Sequence, residues 1–292
     1  MAIVLGPNQY GKAENRLVTV TRDGSVHTIK DLTVSTSLRG DLAETHLTGD
    51  NSAVLATDTQ KNTVYAFAKE APVGEIEDFA LRLGRHFVST QEAITGARVL
   101  IDEHSWQRIE GNDHSFLQGS NEKRTTAVTV EGPRAWVVSG LKDLVVLKST
   151  GSEFHGFPRD RYTTLKETDD RILATSVTAR WRYQGSGIDW AESFAEVRGI
   201  LLRTFAAKYS LSLQQTLYAM GAAVLEERPE VAEVRLSMPN KHHFEVDLSP
   251  FGLENGNEVF YAADRPYGLI EGSVLRDDAE DAGAAWHTLP AF

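Results

Sequence analysis

The chain has 292 residues, which is the length of about two domains of ordinary size. It carries 30 lysines and arginines against 41 aspartates and glutamates, giving a formal net charge of −11. This acidic balance argues against a nucleic-acid-binding protein and against an anionic membrane surface as partner, because both select basic proteins. The sequence contains no cysteine, which excludes disulfides, thiolate metal sites and a cysteine nucleophile.

The two ends of the chain show no targeting signal. The N-terminus lacks the early basic residues and the long apolar stretch of a signal peptide, and no window of 18 apolar residues is present. The last four residues, 289–292, read LPAF, which is not a peroxisomal tripeptide of the Ser-Lys-Leu type. The sequence therefore predicts a cytoplasmic protein without a membrane span.

The first 40 residues are predicted to form strands. Residues 17–21 and 26–29 are rich in β-branched side chains, and Asp23-Gly24 between them is a strong hairpin signal. From residue 76 the apolar spacing becomes helical and predicts an amphipathic helix. Its apolar face consists of Ile76, Phe79, Ala80, Leu83, Phe87 and Val88. Strands follow at 96–109, 125–131 and 135–148, with an expected interruption at residues 139–140.

The second half repeats this order of elements. A β-rich run at 171–183 precedes a helix whose apolar face is formed by Phe194, Val197, Leu201 and Phe205. A second helix begins near Ser212, because Ser212 and Gln215 have the spacing of a capping box. Strands at 231–248 and 258–262 complete the predicted order. Because strands and helices do not alternate, the pattern indicates an α+β fold with antiparallel sheets and helices on one face.

A weak internal echo links the two halves. Leu55-Ala56-Thr57 recurs as Leu173-Ala174-Thr175, and apolar residues of two predicted helices match at the same offset. The matched helix positions are Ile76 with Phe194, Leu83 with Leu201, and Phe87 with Phe205. The echo favours a duplication. We predict two domains, residues 1–139 and 140–292.

Several polar residues occupy positions that a core alone would not need. On one continuous strand Asn240, His242 and Phe244 would share a face, so two polar groups end an apolar stripe, as at the mouth of a pocket. Gln214 lies in the first turn after Ser212, where free backbone N–H groups favour an anion. Each position also has an ordinary structural interpretation, and the same holds for Lys12, Thr57, Asp58, Phe154 and Arg171.

Phosphate loops and metal-binding motifs are absent from the sequence. Neither a Walker-type loop nor the dinucleotide fingerprint occurs, and the nine histidines do not form an H-E-x-x-H motif. Adjacent His242 and His243 would point to opposite faces of a strand, so they would not chelate one ion together. No metal site is predicted.

Six sequence blocks, in order along the chain, resemble the urate oxidase (uricase) family. The blocks are Gly11-Lys12, NSAVLATDTQKNT at 51–63, LKSTGSEF at 147–154, RDRYTTLKETDDRIL at 159–173, QQTLY at 214–218 and PNKHHFEVDL at 239–248. The resemblance implies a tunnelling fold (T-fold) with two tandem domains, each a four-stranded antiparallel sheet with helices on one face. It further implies a homotetramer built around a barrel, with active sites shared between two chains.

The same resemblance implies a reaction and a set of site residues. Urate, O2 and water would give 5-hydroxyisourate and hydrogen peroxide, without metal or organic cofactor. Lys12, Thr57 and His242 would form a proton relay in which the lysine acts as a base through the threonine hydroxyl. The substrate would be held by Thr57, Asp58, Phe154, Leu165, Arg171, Leu213, Gln214 and Asn240. Among these, the guanidinium of Arg171 and the amide of Gln214 suit a planar anion, Phe154 can stack on its ring, and Asn240 would hold O2 and then water.

Two alternatives stay open from the sequence. The chain could be another T-fold enzyme that acts on a purine or pterin, although a zinc-dependent member would need cysteine and histidine ligands. It could also be a non-catalytic purine-binding protein, although Lys12 and Thr57 are both present. Two positions depart from the pattern of relatives: His155 stands where a tryptophan is common, and Leu213 replaces a smaller valine.

Overall fold

The computed structural model describes residues 1–185, 187–263 and 265–288. The chain divides into two compact units. The first contains residues Met1–Gly140 and Arg182–Ala191 together with the C-terminal segment from Glu280, and the second contains Leu141–Trp181 and Glu192–Ala279. The predicted division between residues 139 and 140 stays a prediction. The segment 289–292, in which no peroxisomal tripeptide is predicted, lies outside the described residues.

The first unit places two strands before its helices and further strands after them. Its strands are β1 (Tyr10–Asp23), β2 (Val26–Gly40), β3 (Ile94–Arg108), β4 (Phe116–Glu131) and the first half of β5 (Arg134–Lys148). Its helices are α1 (Ala43–Leu47), α2 (Thr57–Glu70) and α3 (Ile76–Thr90). The strands lie in chain order, and the pairs β1–β2, β2–β3 and β3–β4 are antiparallel. The predicted hairpin is confirmed, since Asp23 pairs with Val26 around Gly24, which has φ +58°.

The core of this unit lies between the sheet and helix α3, which packs on β3 and β4. Five apolar residues of the predicted helical face, Ile76, Phe79, Ala80, Leu83 and Phe87, are fully buried. Glu77 is fully buried as well, because it accepts hydrogen bonds from Arg124 Nη2 at 2.7 Å and Ser139 Oγ at 2.5 Å. Ser139 belongs to strand β5, which runs unbroken through residues 139–140. The interruption that the sequence predicts there is therefore wrong.

The second unit also places its helices between strands. It contains the second half of β5, most of β6 (Leu173–Tyr183), and β7 (Val231–Asn240) and β10 (Gly268–Leu275), adjacent in that order. Its helices are most of α4 (Trp190–Ala207), α5 (Leu213–Glu227) and a 3₁₀ turn, Ser249–Phe251. The short strands β8 (His243–Glu245) and β9 (Phe260–Ala262) pair separately. Helix α5 packs on β7 and β10.

The structure differs from the sequence prediction at three further points. The predicted strand at 231–248 is two strands, because β7 ends at Asn240 and β8 begins at His243. Strand β10, which the sequence analysis did not predict, pairs with β7 along its whole length. The internal echo is not in the register of the repeat: it matches α3 with α4, which are the last helix of one half and the first of the other.

Within the described ranges, none of the helices is both long enough and apolar enough to cross a bilayer.

Candidate active site

A cavity of about 660 Å³ lies in the second unit, within the size range of small-molecule sites. Seven of the residues predicted for the site line it, namely Phe154, Leu165, Arg171, Leu213, Gln214, Asn240 and His242. They come from three places in the sequence: the loop before β6, the start of α5, and the end of β7 with the residues after it. The structure therefore gathers these residues around one space.

Arg171 lies near the end of the loop that precedes β6, and Ser152 holds it in place. Its backbone N–H donates to Ser152 O at 2.8 Å, and its side-chain Nε donates to Ser152 Oγ at 3.3 Å. Ser152 is fully buried. Burial lowers the pKa of Arg171, but a guanidinium remains protonated at neutral pH. The cavity therefore contains a fixed positive charge.

The ring of Phe154 lies beside this guanidinium. The Arg171 Cζ atom is 5.2 Å from the ring centroid, and Phe157 stacks on the ring at 5.0 Å. Phe154 and Thr168 exchange backbone hydrogen bonds of 3.0 and 3.2 Å, which close the loop on itself. His155, the residue that departs from the family pattern, is exposed and contacts Asp169 Oδ1 at 2.9 Å.

Helix α5 presents its N-terminus to the cavity through Leu213 and Gln214. The predicted cap at Ser212 is confirmed, since Gln215 N–H donates to Ser212 Oγ at 3.1 Å. The reciprocal bond of a capping box is displaced by one residue, because Leu211 N–H, and not Ser212 N–H, donates to Gln215 Oε1 at 3.0 Å. Leu213 is buried and Gln214 is exposed. The amide of Gln214 is therefore available to a ligand, at a helix end that favours negative charge.

Asn240 and His242 line the cavity, although they do not lie on one strand. After β7 the backbone turns, since Lys241 N–H donates to Ala174 O at 2.8 Å and Ala263 N–H donates to His242 O at 2.9 Å. The expectation that His242 and His243 lie on one strand is wrong, because β8 begins at His243. Both residues line the cavity. Burial lowers the pKa of His242, and the charge of Arg171 lowers it further. The imidazole is therefore neutral at neutral pH and can accept a proton.

The cavity has further lining residues that were not predicted as site residues. They are Lys166, Thr168, Asp170, Ile172, His243, Phe244, Glu245, Asn257, Phe260 and Ile270. Lys166, Thr168 and Asp170 stand inside the block at 159–173, so proximity to Arg171 was the available signal. Ile270 belongs to β10, whose position in the sheet the sequence did not show.

Lys12, Thr57 and Asp58 lie in the first unit. Lys12 is a half-buried residue of β1, and Thr57 and Asp58 open helix α2. The hydrogen bond from Lys61 lowers the pKa of Asp58, and the more distant charge of Lys12 adds to the effect. Asn62 Nδ2 also donates to Asp58 Oδ2, at 3.0 Å. Lys12 is thus close enough to the first turn of α2 to influence its carboxylate.

Comparison with known proteins gives the family. The uricase family profile matches residues 8–129 and 137–271, which is most of the chain. The chain belongs to the uricase family. It is 54% identical to uricase from Arthrobacter globiformis over 290 residues, covering 99% of this chain and 96% of that relative. It is 42% identical to uricase from Aspergillus flavus over 288 residues, covering 92% and 95%.

Solved structures agree with this assignment. The crystal structure of uricase from Arthrobacter globiformis superposes with a TM-score of 0.93 at 55% identity, covering 96% of this chain and 98% of that one. The fold is therefore the α+β tunnelling fold that the sequence resemblance implies. Among the described residues, no group of three or more His, Asp or Glu side chains is arranged to hold a metal ion.

Proposed function

We propose that the chain oxidises urate. Two electrons pass from urate to O2, which takes up two protons and becomes hydrogen peroxide, while the oxygen of a water molecule bonds to ring carbon C5. The ring product is 5-hydroxyisourate. The observation that carries the proposal is the cavity of the second unit, which Phe154, Arg171, Gln214 and Asn240 all line. The guanidinium of Arg171 lies beside the ring of Phe154.

These residues fit a planar anion. Urate offers oxygens and ring nitrogens in one plane, and a guanidinium forms two parallel hydrogen bonds in a plane. Gln214 can donate and accept through its amide, and the ring of Phe154 offers a face for stacking. Leu213 would hydrogen-bond to urate through its backbone. Leu165 would cover the exposed side of the urate ring.

We propose that Lys12, Thr57 and His242 move the protons. Lys12 would accept a proton from urate through the hydroxyl of Thr57, which raises the electron density of the ring. The neutral imidazole of His242 would exchange protons with peroxide and water. Asn240 would hold O2 and then the attacking water above the ring. The electron-rich dianion can reduce O2 directly, so the proposal needs no metal or organic cofactor.

We further propose that each active site combines two chains of a homotetramer. Lys12, Thr57 and Asp58 of one chain would meet the second-unit cavity of another. A two-fold axis supports this arrangement, because it generates two equivalent sites, each built from both partners. A cytoplasmic location stays a prediction from the sequence.

The purified protein should consume urate and O2 in equal amounts while releasing an equal amount of peroxide. The ultraviolet absorbance of urate follows the first quantity, and an oxygen electrode and a peroxide assay follow the others. Removal of O2 should stop the reaction, whereas exhaustive chelation should not. Urate binding without loss of absorbance would contradict the proposal and favour a non-catalytic purine-binding protein. Activity that tracks a bound metal would contradict the cofactor-free chemistry.

The shared site has its own test. At urate concentrations far below the wild-type KM, a Lys12→Met variant and an Arg171→Ala variant should each be crippled alone. In a mixed two-fold pair, one site carries both defects and the other carries neither. Random pairing gives mixed pairs half of the time, so co-refolding should restore on the order of a quarter of the wild-type sites. No recovery in oligomers shown to contain both variants would place Lys12 and Arg171 in the same chain's site.

A further inference from the structure

A chain of buried polar groups lies beneath Lys12 in the first unit. The backbone N–H of Lys12 donates to Thr36 Oγ1 at 3.4 Å, and the Thr36 hydroxyl donates to Gln60 Oε1 at 2.7 Å. Gln60 Nε2 in turn donates to Leu55 O at 3.3 Å. Gln60 is 0% exposed and Thr36 is 3% exposed. We call Thr36 and Gln60, with these hydrogen bonds, the clasp.

The clasp costs more to bury than an apolar pair would. An amide or hydroxyl in the core loses its hydrogen bonds to water and must regain them inside the protein. Gln60 lies one helical turn before Val64, which is 1% exposed, so it occupies the buried face of α2. An apolar side chain could fill that position. Unlike an apolar pair, Thr36 and Gln60 form directional hydrogen bonds. These bonds fix the distances between β1, β2 and the segment that leads into α2.

The strand around Lys12 is shaped at the same point. The register of β1 and β2 shifts between Lys12 and Asn15, where Glu14 has φ +55° and donates its N–H to Ser35 Oγ at 2.9 Å. Asn15 Nδ2 lies 3.5 Å from Lys61 O, in helix α2. A bulge of this kind bends a strand and changes the direction of a side chain. The part of β1 that follows Lys12 is therefore hydrogen-bonded to both β2 and α2.

Gln60 fixes the other side of the relay. It lies three residues after Thr57, in the first turn of α2, and its bond to Leu55 O holds the segment that leads into the helix. The clasp thus joins the backbone of Lys12 to the turn that carries Thr57. Loss of any of these hydrogen bonds would alter the distance between the Lys12 backbone and Thr57.

We propose that Thr36 and Gln60 are positioning residues, which set the Lys12 backbone at working distance from Thr57. The inference rests on the proposed function, since it assigns a role within that proton relay. Neither residue reaches the substrate. Their effect is on the geometry of proton transfer, for which a displacement of about 1 Å can cost on the order of 100-fold in rate.

The test compares Thr36→Val, Thr36→Ser and Gln60→Met with the wild type. Valine keeps the shape of threonine without its hydroxyl, serine keeps the hydroxyl, and methionine is close to glutamine in shape. We expect Thr36→Val and Gln60→Met to lower kcat by about 10- to 100-fold. Thr36→Ser should stay within about threefold of wild type. The Kd of urate, measured without O2, should change by less than about threefold in all of them, because the ring-binding residues are untouched.

Thr126→Val is the matched control. Thr126 is 3% exposed in β4, and its hydroxyl donates to Val138 O at 3.3 Å, away from Lys12. This variant should lose stability as Thr36→Val does while keeping kcat. If Thr126→Val lowers kcat as much as Thr36→Val does, or if Thr36→Ser lowers kcat as much as Thr36→Val does, the positioning role is wrong and the effect is general destabilisation.

A double-mutant cycle with Lys12→Met separates the inference from the proposed function. If the clasp acts through Lys12, Thr36→Val should reduce kcat by less than about threefold in the Lys12→Met background. An equal reduction in both backgrounds overturns the inference. A wild-type kcat in Lys12→Met overturns both the relay and the clasp's role, although urate oxidation by the chain would stand. A wild-type protein that does not oxidise urate overturns the proposed function itself.

Discussion

Replacing Arg171 by alanine should weaken urate binding more than it slows the reaction. The guanidinium is placed before any ligand arrives, by Ser152 and by the ring of Phe154 at 5.2 Å. Hydrogen bonds to a charged group contribute about 1.5–3 kcal/mol. Their loss corresponds to a rise of about 10- to 150-fold in the Kd of urate. Because the charge binds urate before and during the reaction, kcat should fall much less.

The assay is titration with urate in the absence of O2, where binding is measured without turnover, followed by aerobic kinetics. Arg203→Ala is the matched control, since Arg203 is a half-exposed arginine of α4 paired with Glu227. Its Kd should match that of the wild type. If Arg171→Ala binds urate within about twofold of wild type, or loses kcat at unchanged Kd, the charge does not hold the substrate and the reasoning fails.

Three further predictions test other parts of the site. Lys12→Met should lower kcat by about 10²- to 10⁴-fold, as expected for a lost general base. Lys69 is an exposed lysine of α2, and Lys69→Met should leave kcat unchanged. The pKa of His242 is lowered, so its imidazole stays neutral down to a pH below about 6.5. The value of kcat/KM should therefore fall on the acid side only below about pH 6.5. A His242→Asn profile that keeps this fall would assign it to another group. Gly11→Ala would place a Cβ 1.8 Å from Thr36 O, so the strands must separate. Thermal unfolding should show a loss of about 1–3 kcal/mol, whereas Gly6→Ala, with open space around it, should show none.

Local signals in the sequence predicted most of the regular elements. The Asp23-Gly24 turn, the apolar spacing of α3 and the cap at Ser212 all depend on residues close in sequence. Strand β10 was not predicted, and its glycines at 268 and 272 disfavour a strand. Gly272 packs closely against helix α5, where a Cβ would lie 3.0 Å from Leu217 Cδ2.

Long-range hydrogen bonds explain the errors at the site. The run 231–248 reads as one strand, but it breaks at residues 241–242, which bond to Ala174 O and to Ala263 N–H instead of continuing the ladder. A period-two pattern contains no information about those partners. Gln60 was also missed, although one signal was present: it is a polar residue four positions before Val64, on the face of α2 that enters the core.

The neutral partners of Arg171 explain how the cavity can attract an anion. Some other arginines of the chain are held by carboxylates, as Arg39 is by Glu131 and Arg124 is by Glu75 and Glu77. Such pairing cancels the charge that a ligand would meet. Arg171 is held by a serine hydroxyl and an aromatic ring, which fix the guanidinium without neutralising it. Burial lowers the pKa of His242, and the same positive charge lowers it further. The group that binds the anion therefore also helps to keep the nearby imidazole neutral.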